Sequence, residues 1–299
     1  MRSGFFLAVP SIFSWSKILK YLMRDPHEIA YRVEKRRIRR GFLIDGVKVL
    51  CEITYHPRLK NLSVAILNNV VCSDSIRAQL TDFISDWFDL DQDLSTFYEM
   101  AQTDPILHSV VKKQAGLRLV GIPDLFEALV WEIVGQEITV NFALSLKNSF
   151  IQKFGQTIQY QDKTYWIFPD PETVAQADKE TLLGLKLTNH KAEYLLDISQ
   201  KLARGEMTKE HYCQFDNFED AEKDMTKIRG IGPWTANCIL MRCIKQGDAF
   251  PMNDVGLLNG IKTLEKSDQK PSKEKMLQLK KRWGNWCSYA VFYIWNNFY

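Results

Sequence analysis

Alternating apolar and polar residues predict a small antiparallel sheet close to the amino terminus. Its three strands are expected over residues 38–43, 47–55 and 62–67. An Asp-Gly pair at 45–46 marks a tight turn between the first two strands. A helix with one apolar face is predicted before them, over 15–22. This end of the chain should therefore form a small α+β unit.

The segment 34–40, EKRRIRR, is strongly basic and belongs to this strand region. One interpretation is a stripe of positive charge that binds phosphates. The other is an exposed edge strand, since charged side chains keep an unpaired sheet edge from aggregating. The edge strand is the preferred interpretation.

From about residue 75 onward the apolar residues recur with a helical period. Helices are predicted over 75–88, 94–101, 104–112, 123–134, 138–154, 178–184, 189–204, 218–228, 233–246, 254–264, 272–282 and 285–297. Alternation over 159–168 predicts one short hairpin within this part. The larger part of the chain is therefore expected to be helical.

The composition narrows the class of protein. With 299 residues, 45% hydrophobic and 25% charged, the chain is long enough for two or three globular domains. The six cysteines fit no zinc or iron–sulfur spacing, so free thiols in a reducing cytosol are expected. The apolar run over 5–10 is too short to span a bilayer, and the five histidines form no helical metal-binding pair.

The charge is unevenly distributed, although the net charge is only +3. Residues 1–70 hold 13 Lys and Arg against 5 Asp and Glu, and residues 225–299 hold 12 against 5. Residues 71–224 hold 14 against 26. A polyanion should therefore meet the two ends of the chain, unless the charges are merely solvated and happen to segregate.

The segment 228–234, IRGIGPW, joins two predicted helices through two glycines. A turn this tight is expected to need the positive φ that glycine tolerates, at Gly230 and Gly232. Pro233 then begins a helix, so several backbone N–H groups and the positive end of the helix dipole point out of the turn. Such a turn is typical of an anion site, and the natural anion is a nucleic-acid phosphate.

A carboxylate follows the turn at a predicted helix start. Asp254 lies 22 residues beyond Gly232, and either it or Asn253 should open the helix through Ile261. An ionised carboxylate at this place could stabilise a developing cation or orient water. The alternative is that Asp254 only caps the helix.

The stretch 225–257 resembles the helix-hairpin-helix of the DNA glycosylase superfamily, with its Gly-Pro/Asp element. Other segments resemble the AlkA-like 3-methyladenine DNA glycosylases II: those at 13–21, 116–119 (GLRL), 124–127 (DLFE), 133–136 (IVGQ), 230–237 (GIGPWTAN) and 283–295 (WGNWCSYAVFYIW). The resemblance spans nearly the whole chain. It implies an α+β fold, with a small antiparallel-sheet domain over 1–90 and a mostly helical glycosylase domain over 91–299. Two helical subdomains, about 115–230 and 91–114 plus 231–299, would enclose a cleft.

The resemblance also implies roles for individual residues. Asp254 would be the catalytic carboxylate. The substrate-binding residues would be Trp234, Trp286, Tyr21, Cys238 and Tyr289. The DNA-binding residues would be Arg229, Gly230, Ile231, Gly232, Gln136 and Glu137. Apart from the resemblance, aromatic residues of the last helix such as Phe292 and Trp295 are expected to belong to the core.

Two positions depart from the family pattern. Cys238 stands where the family often has tyrosine, so the wall of the base pocket would be smaller there. Glu137 stands where an apolar residue usually fills the gap left by the extruded base. Either Gln136 or Ile138 fills that gap, or the register differs by one residue.

The implied reaction is hydrolysis of the N-glycosidic bond of an alkylated purine such as 3-methyladenine or 7-methylguanine, with hypoxanthine a further candidate. An alkylated purine is already a good leaving group, so no general acid is required, and no second well-placed carboxylate is recognised. Strand-cleaving members place a lysine where Trp234 stands, so a monofunctional enzyme is expected. The alternatives are a non-catalytic DNA-binding protein, an oxidised-purine glycosylase/lyase and a structural helical adaptor.

The expected partner is double-stranded DNA that contains alkylated bases, bound by a monomer with no membrane association. No cofactor and no side-chain metal site are expected, although the hairpin of this family could hold a monovalent cation. The expected location is the cytoplasm, at the nucleoid of a bacterium.

Overall fold

The amino-terminal part of the computed structural model, which describes residues 3–298, is a five-stranded antiparallel sheet. Its strands are β1 (Gly4–Ala8), β2 (Tyr31–Glu34), β3 (Arg37–Ile44), β4 (Val47–His56) and β5 (Asn61–Ile66). Their order across the sheet is β1, β5, β4, β3, β2. The predicted amphipathic helix is α1 (Trp15–Leu22), which lies between β1 and β2 in the chain.

The three predicted strands are confirmed as β3, β4 and β5, whereas β1 and β2 were not predicted. The sequence of β1, GFFLA, has no polar residue, so its apolar run carries no alternation. Strand β2 has only four residues, too few to show a period. The alternation of apolar and polar residues therefore predicts neither strand.

The prediction that 34–40 is a single edge strand is wrong. Lys35 and Arg36 have φ of +48° and +63°, and they form the two-residue turn of a hairpin between β2 and β3. In this hairpin β2 is at the edge of the sheet and β3 lies between β2 and β4. Arg40 faces inward and forms a buried salt bridge with Glu127.

The rest of the chain is mostly helical, as predicted. Its helices are α2 (Asp74–Phe88), α3 (Ser95–Thr103), α4 (Leu107–Lys113), α5 (Leu125–Gly135), α6 (Val140–Phe154), α7 (Pro171–Ala175), α8 (Lys179–Leu183), α9 (Asn189–Ala203), α10 (Lys209–Cys213), α11 (Phe218–Met225), α12 (Pro233–Ile239), α13 (Val255–Leu264), α14 (Lys273–Trp283) and α15 (Cys287–Phe298). A short hairpin of β6 (Gln156–Tyr160) and β7 (Lys163–Ile167) confirms the alternation over 159–168. The fold class is thus confirmed: a small antiparallel sheet followed by a helical domain.

Two details of the helical part differ from the prediction. The segment 233–246 is α12 followed by a π-helical turn over Leu240–Ile244, where the backbone hydrogen bonds lengthen to i→i+5. Helices α7 and α10 were not predicted, since five residues span little more than one turn.

The hairpin of β6 and β7 covers the sheet. The Arg39 guanidinium donates a hydrogen bond to the Tyr165 hydroxyl at 3.0 Å, and Arg32 donates one to the Thr164 carbonyl oxygen at 3.3 Å. A small apolar cluster seals this contact, formed by Leu50, Leu67, Ile158, Tyr165 and Ile167. The main core is continuous from the sheet into the helices. Residues of both parts line the cavity described below.

Candidate active site

The turn between α11 and α12 depends on one glycine for its shape. Gly230 has φ of +89°, and a Cβ there would lie 2.3 Å from ring carbons of Tyr194. Only glycine fits that position. Gly232 has φ of −88°, so the prediction of a positive φ there is wrong. A Cβ on Gly232 would meet nothing within 4 Å, which leaves open surface in front of α12.

The side chains beside these glycines, those of Arg229 and Ile231, interact with the rest of the protein. The Arg229 guanidinium lies 2.6 Å from Glu193 Oε2 and 5.5 Å from the centre of the Tyr194 ring. Ile231 is buried, so its side chain anchors the turn and could reach DNA only through its backbone. Contact between Ile231 and DNA stays a prediction, and the backbone of this residue would make it.

The loop after α5 braces the turn. Gln136 Nε2 donates hydrogen bonds to the Gly230 carbonyl oxygen at 2.9 Å and to Thr235 Oγ1 at 3.0 Å. Glu137 is exposed and has φ of +59°, and Ile138 lines the cavity. The Gln136 amide thus holds the turn in place, whereas Glu137 stands at the surface.

A cavity of about 590 Å³ opens beside the turn. Residues from α1, α5, α6, α12, α15 and the sheet line it, so it lies between the amino-terminal part and the helices. Its aromatic lining residues are Tyr21, Tyr31, Trp87, Trp131, Trp234, Phe292 and Trp295. A flat ring of the size of a purine can therefore meet aromatic faces on several sides.

Asp254 lies in this cavity and caps α13. Its Oδ1 accepts hydrogen bonds from the Leu257 N–H at 2.6 Å and from Trp295 Nε1 at 2.8 Å, and its Oδ2 accepts one from Trp234 Nε1 at 3.0 Å. The two interpretations of this residue are compatible, because the carboxylate caps a helix and also faces the cavity. Its three donors are neutral N–H groups, so they orient the carboxylate without cancelling its charge.

Three of the five predicted substrate-binding residues line the cavity: Trp234, Cys238 and Tyr21. Cys238 follows Trp234 by one turn of α12, and burial raises the pKa of its thiol well above the usual value. The Tyr21 hydroxyl accepts a hydrogen bond from the Arg242 guanidinium at 3.2 Å, and its ring lies 5.0 Å from that of Phe292. These residues form one continuous wall.

Trp286 and Tyr289 do not line the cavity, so the structure contradicts their predicted place. Both rings pack against Phe97 of α3, at centroid distances of 5.6 and 5.3 Å. The Tyr289 hydroxyl donates to the Asp89 carboxylate and accepts from the Leu119 N–H. This side of the carboxy-terminal helix therefore belongs to the core.

A neighbouring face of α15 carries two cavity residues that are expected, from the sequence, to belong to the core. Phe292 and Trp295 are three residues apart, so they share a helix face, and both line the cavity. Trp295 reaches Asp254 directly, as described above. The spacing was visible in the sequence, but helical periodicity does not say which of two aromatic faces meets a cavity.

A second carboxyl group in the cavity was not recognised in the sequence. Glu132 of α5 lines the cavity and is 5% exposed. Burial raises the pKa of this group to about 7, against the attraction of Arg242 and a hydrogen bond with Cys238 that lower it. The expectation that no second well-placed carboxylate exists is therefore wrong.

The far end of the cavity holds a buried group of paired charges. Arg40 forms a salt bridge with Glu127, and Lys147 Nζ lies 3.0 Å from Glu28 and 3.4 Å from Glu127. Burial acts to lower the pKa of Lys147, but the attraction of the two glutamates outweighs it and raises the pKa. Lys147 therefore stays protonated at neutral pH.

The described residues offer no obvious place for a resident metal. Within residues 3–298 no group of three or more His, Cys, Asp or Glu side chains is arranged to hold a metal ion. In the same range, no helix combines the length and the apolar character needed to cross a membrane.

Comparison with known proteins matches this arrangement to a family. The family model described as the HhH-GPD superfamily base excision DNA repair protein matches residues 130–285, which hold the turn and Asp254. This chain belongs to the HhH-GPD superfamily. The 8-oxoguanine DNA glycosylase N-terminal domain model matches residues 22–129. The family resemblance of the sequence is thereby confirmed, and the protein is a DNA glycosylase of the HhH-GPD base excision repair type.

Relatives of this HhH-GPD protein match it along nearly its whole length. The DNA-3-methyladenine glycosylase of Bacillus subtilis is 42% identical over 294 residues, 98% of this chain and 96% of the relative. A 3-methyladenine DNA glycosylase from Archaeoglobus fulgidus has a TM-score of 0.84 at 21% identity, covering 98% and 97% of the two chains. The Clostridium acetobutylicum 8-oxoguanine glycosylase/lyase bound to double-stranded DNA has a TM-score of 0.73 at 18% identity, covering 99% and 97%. These two structures share the fold.

Proposed function

We propose that this protein excises alkylated purines, of the 3-methyladenine and 7-methylguanine type, from duplex DNA by hydrolysis and leaves an abasic site. One observation carries the proposal: the Asp254 carboxylate faces an aromatic cavity and is held by three neutral N–H donors. The B. subtilis relative that bears the name DNA-3-methyladenine glycosylase supports the choice of alkylated purines.

The carboxylate suits the charge that develops on the sugar. As the bond to the base lengthens, the deoxyribose gains oxocarbenium character, and a nearby anion stabilises that charge more than the neutral ground state. Trp234 and Trp295 fix both carboxylate oxygens, so little reorganisation is needed when the cation forms. The base must first leave the stack, because its glycosidic carbon is unreachable inside a duplex.

The lining of the cavity suits the base. Alkylation at a purine ring nitrogen makes the ring cationic, and an aromatic face attracts such a ring by about 0.5–2 kcal/mol. Trp234 and Trp295 hydrogen bond with the Asp254 carboxylate, and Phe292 lines the same cavity. The alkylated base would therefore stack close to the carboxylate that acts on its sugar.

The absence of a free amine favours a monofunctional enzyme. A lyase step requires a neutral lysine amine that attacks the sugar. Among the described residues that line the cavity, Lys147 is the one lysine, and Glu28 and Glu127 keep it protonated. Trp234 occupies the position that the resemblance assigns to the lysine of strand-cleaving members.

An oxidised-purine glycosylase/lyase is the second candidate. Two findings favour it: residues 22–129 match the 8-oxoguanine glycosylase N-terminal domain model, and the C. acetobutylicum enzyme shares the fold. The paired state of Lys147 argues against it. Trapping with borohydride would decide, because only a lyase forms a covalent adduct with DNA.

The glycine turn would grip the DNA backbone. Gly232 leaves open surface in front of α12, and Arg229 extends beside it with 64% of its side chain exposed. A phosphate could approach the backbone N–H groups there. Action as a monomer and a monovalent cation at this turn stay predictions.

The decisive experiment is a mass-spectrometric inventory of the bases released from methylated DNA. The wild-type protein should release 3-methyladenine and 7-methylguanine and leave alkali-labile sites. Asp254→Asn should lower the release by about 10²- to 10³-fold with little change in DNA affinity. Asp248→Asn is the matched control, because Asp248 lies on the same loop and outside the cavity lining.

Three outcomes would contradict the proposal. Binding without any released base would favour a non-catalytic DNA-binding protein. Release of oxidised purines together with a borohydride-trapped adduct would favour the lyase. Equal activity of Asp254→Asn and the wild type would remove the carboxylate from the mechanism.

A further inference from the structure

Glu132 lies opposite a row of cavity residues on α12. It precedes Gln136 by four residues, so the two share the face of α5 that meets the turn. Trp234, Cys238 and Arg242 follow one another at intervals of four residues along α12 and its π-helical turn, and all three line the cavity. Glu132 lines the cavity together with Cys238, the middle member of that row.

The charged groups around Glu132 leave its carboxyl group without a dedicated cation. The charge of Arg242 acts on it, but that guanidinium donates to the Tyr21 hydroxyl and, at 3.4 Å, to the Val120 carbonyl oxygen. The negative charge of Asp254 opposes ionisation of Glu132. Glu132 thus lines the same cavity as the Asp254 carboxylate.

The lysines on the other helices packed against α5 are engaged elsewhere. Lys147 of α6 pairs with Glu28 and Glu127. Lys191 of α9 donates hydrogen bonds to the carbonyl oxygens of Val134 and Gln136, at 2.9 and 2.7 Å. Arg40, on the sheet, pairs with Glu127. Cys238, Arg242 and Asp254 are the groups that act on Glu132 itself. Burial therefore dominates, and it raises the pKa of Glu132 to about 7.

We propose that Glu132 is a second catalytic residue, which donates its carboxyl proton to a ring nitrogen of an uncharged purine as that base departs. The inference rests on the proposed function and extends it from cationic to uncharged bases. A carboxyl group whose pKa is raised by burial, in the same cavity as a carboxylate that accepts hydrogen bonds from neutral N–H groups, is the pattern of an acid paired with an electrostatic stabiliser. Asp254 would stabilise the sugar and Glu132 would protonate the base.

The chemistry requires no further reactant than water. An alkylated purine already carries a positive charge, whereas hypoxanthine does not. A proton from Glu132 to N3 or N7 of hypoxanthine creates an equivalent cation. The C1′–N9 bond then breaks with its electron pair on the base, and the water oxygen bonds to C1′. The proton that this water loses returns through solvent to the Glu132 carboxylate.

The test compares two defined duplexes, one with hypoxanthine and one with 7-methylguanine, under single-turnover conditions from about pH 5 to 9. For the wild type, hypoxanthine excision should fall as the pH rises through about 7, the pKa of Glu132, while 7-methylguanine excision should lack that fall. Glu132→Gln should lower the ratio of hypoxanthine to 7-methylguanine excision by about 10²-fold and abolish the alkaline fall. Glu99→Gln, on the exposed surface of α3, is the control for loss of a carboxylate.

The other possible results contradict either the role of Glu132 or the proposed function. An equal loss for both bases in a folded Glu132→Gln protein, or an unchanged alkaline fall, would make Glu132 structural. Release of 7-methylguanine without hypoxanthine by the wild type would refute the role of Glu132 and leave the proposed function intact. Release of neither base would refute the proposed function itself.

Discussion

The two ends of the cavity hold carboxylates in opposite electrostatic settings. At the far end, Glu127 meets two cations, Arg40 and Lys147. At the end beside the glycine turn, Asp254 meets neutral N–H groups from Trp234 and Trp295. Both carboxylates are oriented, but only the charge of Asp254 remains available to a ligand.

This difference separates a structural charge from a functional one. A carboxylate neutralised by cations adds little field to its surroundings, whereas one held by dipoles projects its charge into a low-dielectric cavity. The two carboxylates differ in burial, since Glu127 is buried and Asp254 is partly exposed. They differ as well in the chemical type of the hydrogen-bond donor, and that difference decides which charge a ligand meets.

The largest effect on stability is expected at the far end of the cavity. Glu127→Gln leaves Arg40 and Lys147 with reduced compensation, so the free energy of unfolding should fall by about 3–5 kcal/mol. Asp254→Asn should change it far less, because asparagine caps a helix about as well as aspartate. Urea unfolding of both variants measures the contrast, and similar losses would break the comparison.

The salt bridges of Glu127 with Arg40 and Lys147 also predict that the folded protein loses stability at acid pH. Burial acts to raise the pKa of Glu127, but Arg40 and Lys147 outweigh it and hold the pKa below its ordinary value of 4.5. The stabilisation is therefore present above the unfolded pKa and disappears as the pH falls through the folded value. Glu127→Gln should lack this acid-side slope.

The next effect concerns Glu132, whose folded pKa of about 7 lies above its ordinary 4.5. Between these values the folded protein binds one proton more than the unfolded chain, so stability falls as the pH rises. The loss amounts to about 3 kcal/mol by pH 7, at about 1.4 kcal/mol for each pH unit. Glu132→Gln should avoid it and exceed the wild type in unfolding free energy at pH 8. Parallel curves from pH 4 to 8 would contradict the raised pKa.

Most helices could be predicted from the sequence because their apolar faces repeat with the helical period. Helix α2, predicted over 75–88, runs over Asp74–Phe88, and α9, predicted over 189–204, runs over Asn189–Ala203. The π-helical turn over Leu240–Ile244 could not be predicted, since it keeps the apolar character of the helix before it. The period of the apolar residues predicts that a helix forms. Tertiary packing determines whether its backbone hydrogen bonds follow the α-helical or the π-helical pattern.

The site was less predictable than the fold. Asp254 and Trp234 stand in a motif whose spacing is local, so a single sequence contains the signal. Glu132 is hidden in α5, where nearly every neighbouring residue is apolar and buried. The presence of two glutamates, Glu127 and Glu132, in so apolar a helix was the available signal. Whether Trp286 or Trp295 meets the cavity depends on the packing of α15 against α3, a contact between segments far apart in the chain.

The next prediction compares Trp295, which lines the cavity, with Trp286, which does not. Trp295→Phe removes one donor from Asp254 Oδ1, and a hydrogen bond to a charged group is worth about 1.5–3 kcal/mol. Excision of 7-methylguanine should therefore fall by about tenfold or more. Trp286→Phe makes the same chemical change outside the cavity lining and should stay within about twofold of the wild type, since it breaks no contact with Asp254. Single-turnover rates measure both variants, and the reverse order would return Trp286 to the pocket.

The smallest effect is expected at the glycine turn, where the two glycines should respond differently. Gly232→Ala places a methyl group in open space at an ordinary φ, so unfolding should change by no more than about 0.5 kcal/mol. DNA affinity should nevertheless fall severalfold, because the methyl group stands where a phosphate would approach the backbone. Gly230→Ala would instead meet the Tyr194 ring and destabilise the turn itself. Fluorescence anisotropy with an abasic-site duplex measures the affinity, and unchanged binding by Gly232→Ala would place the DNA backbone elsewhere on the protein.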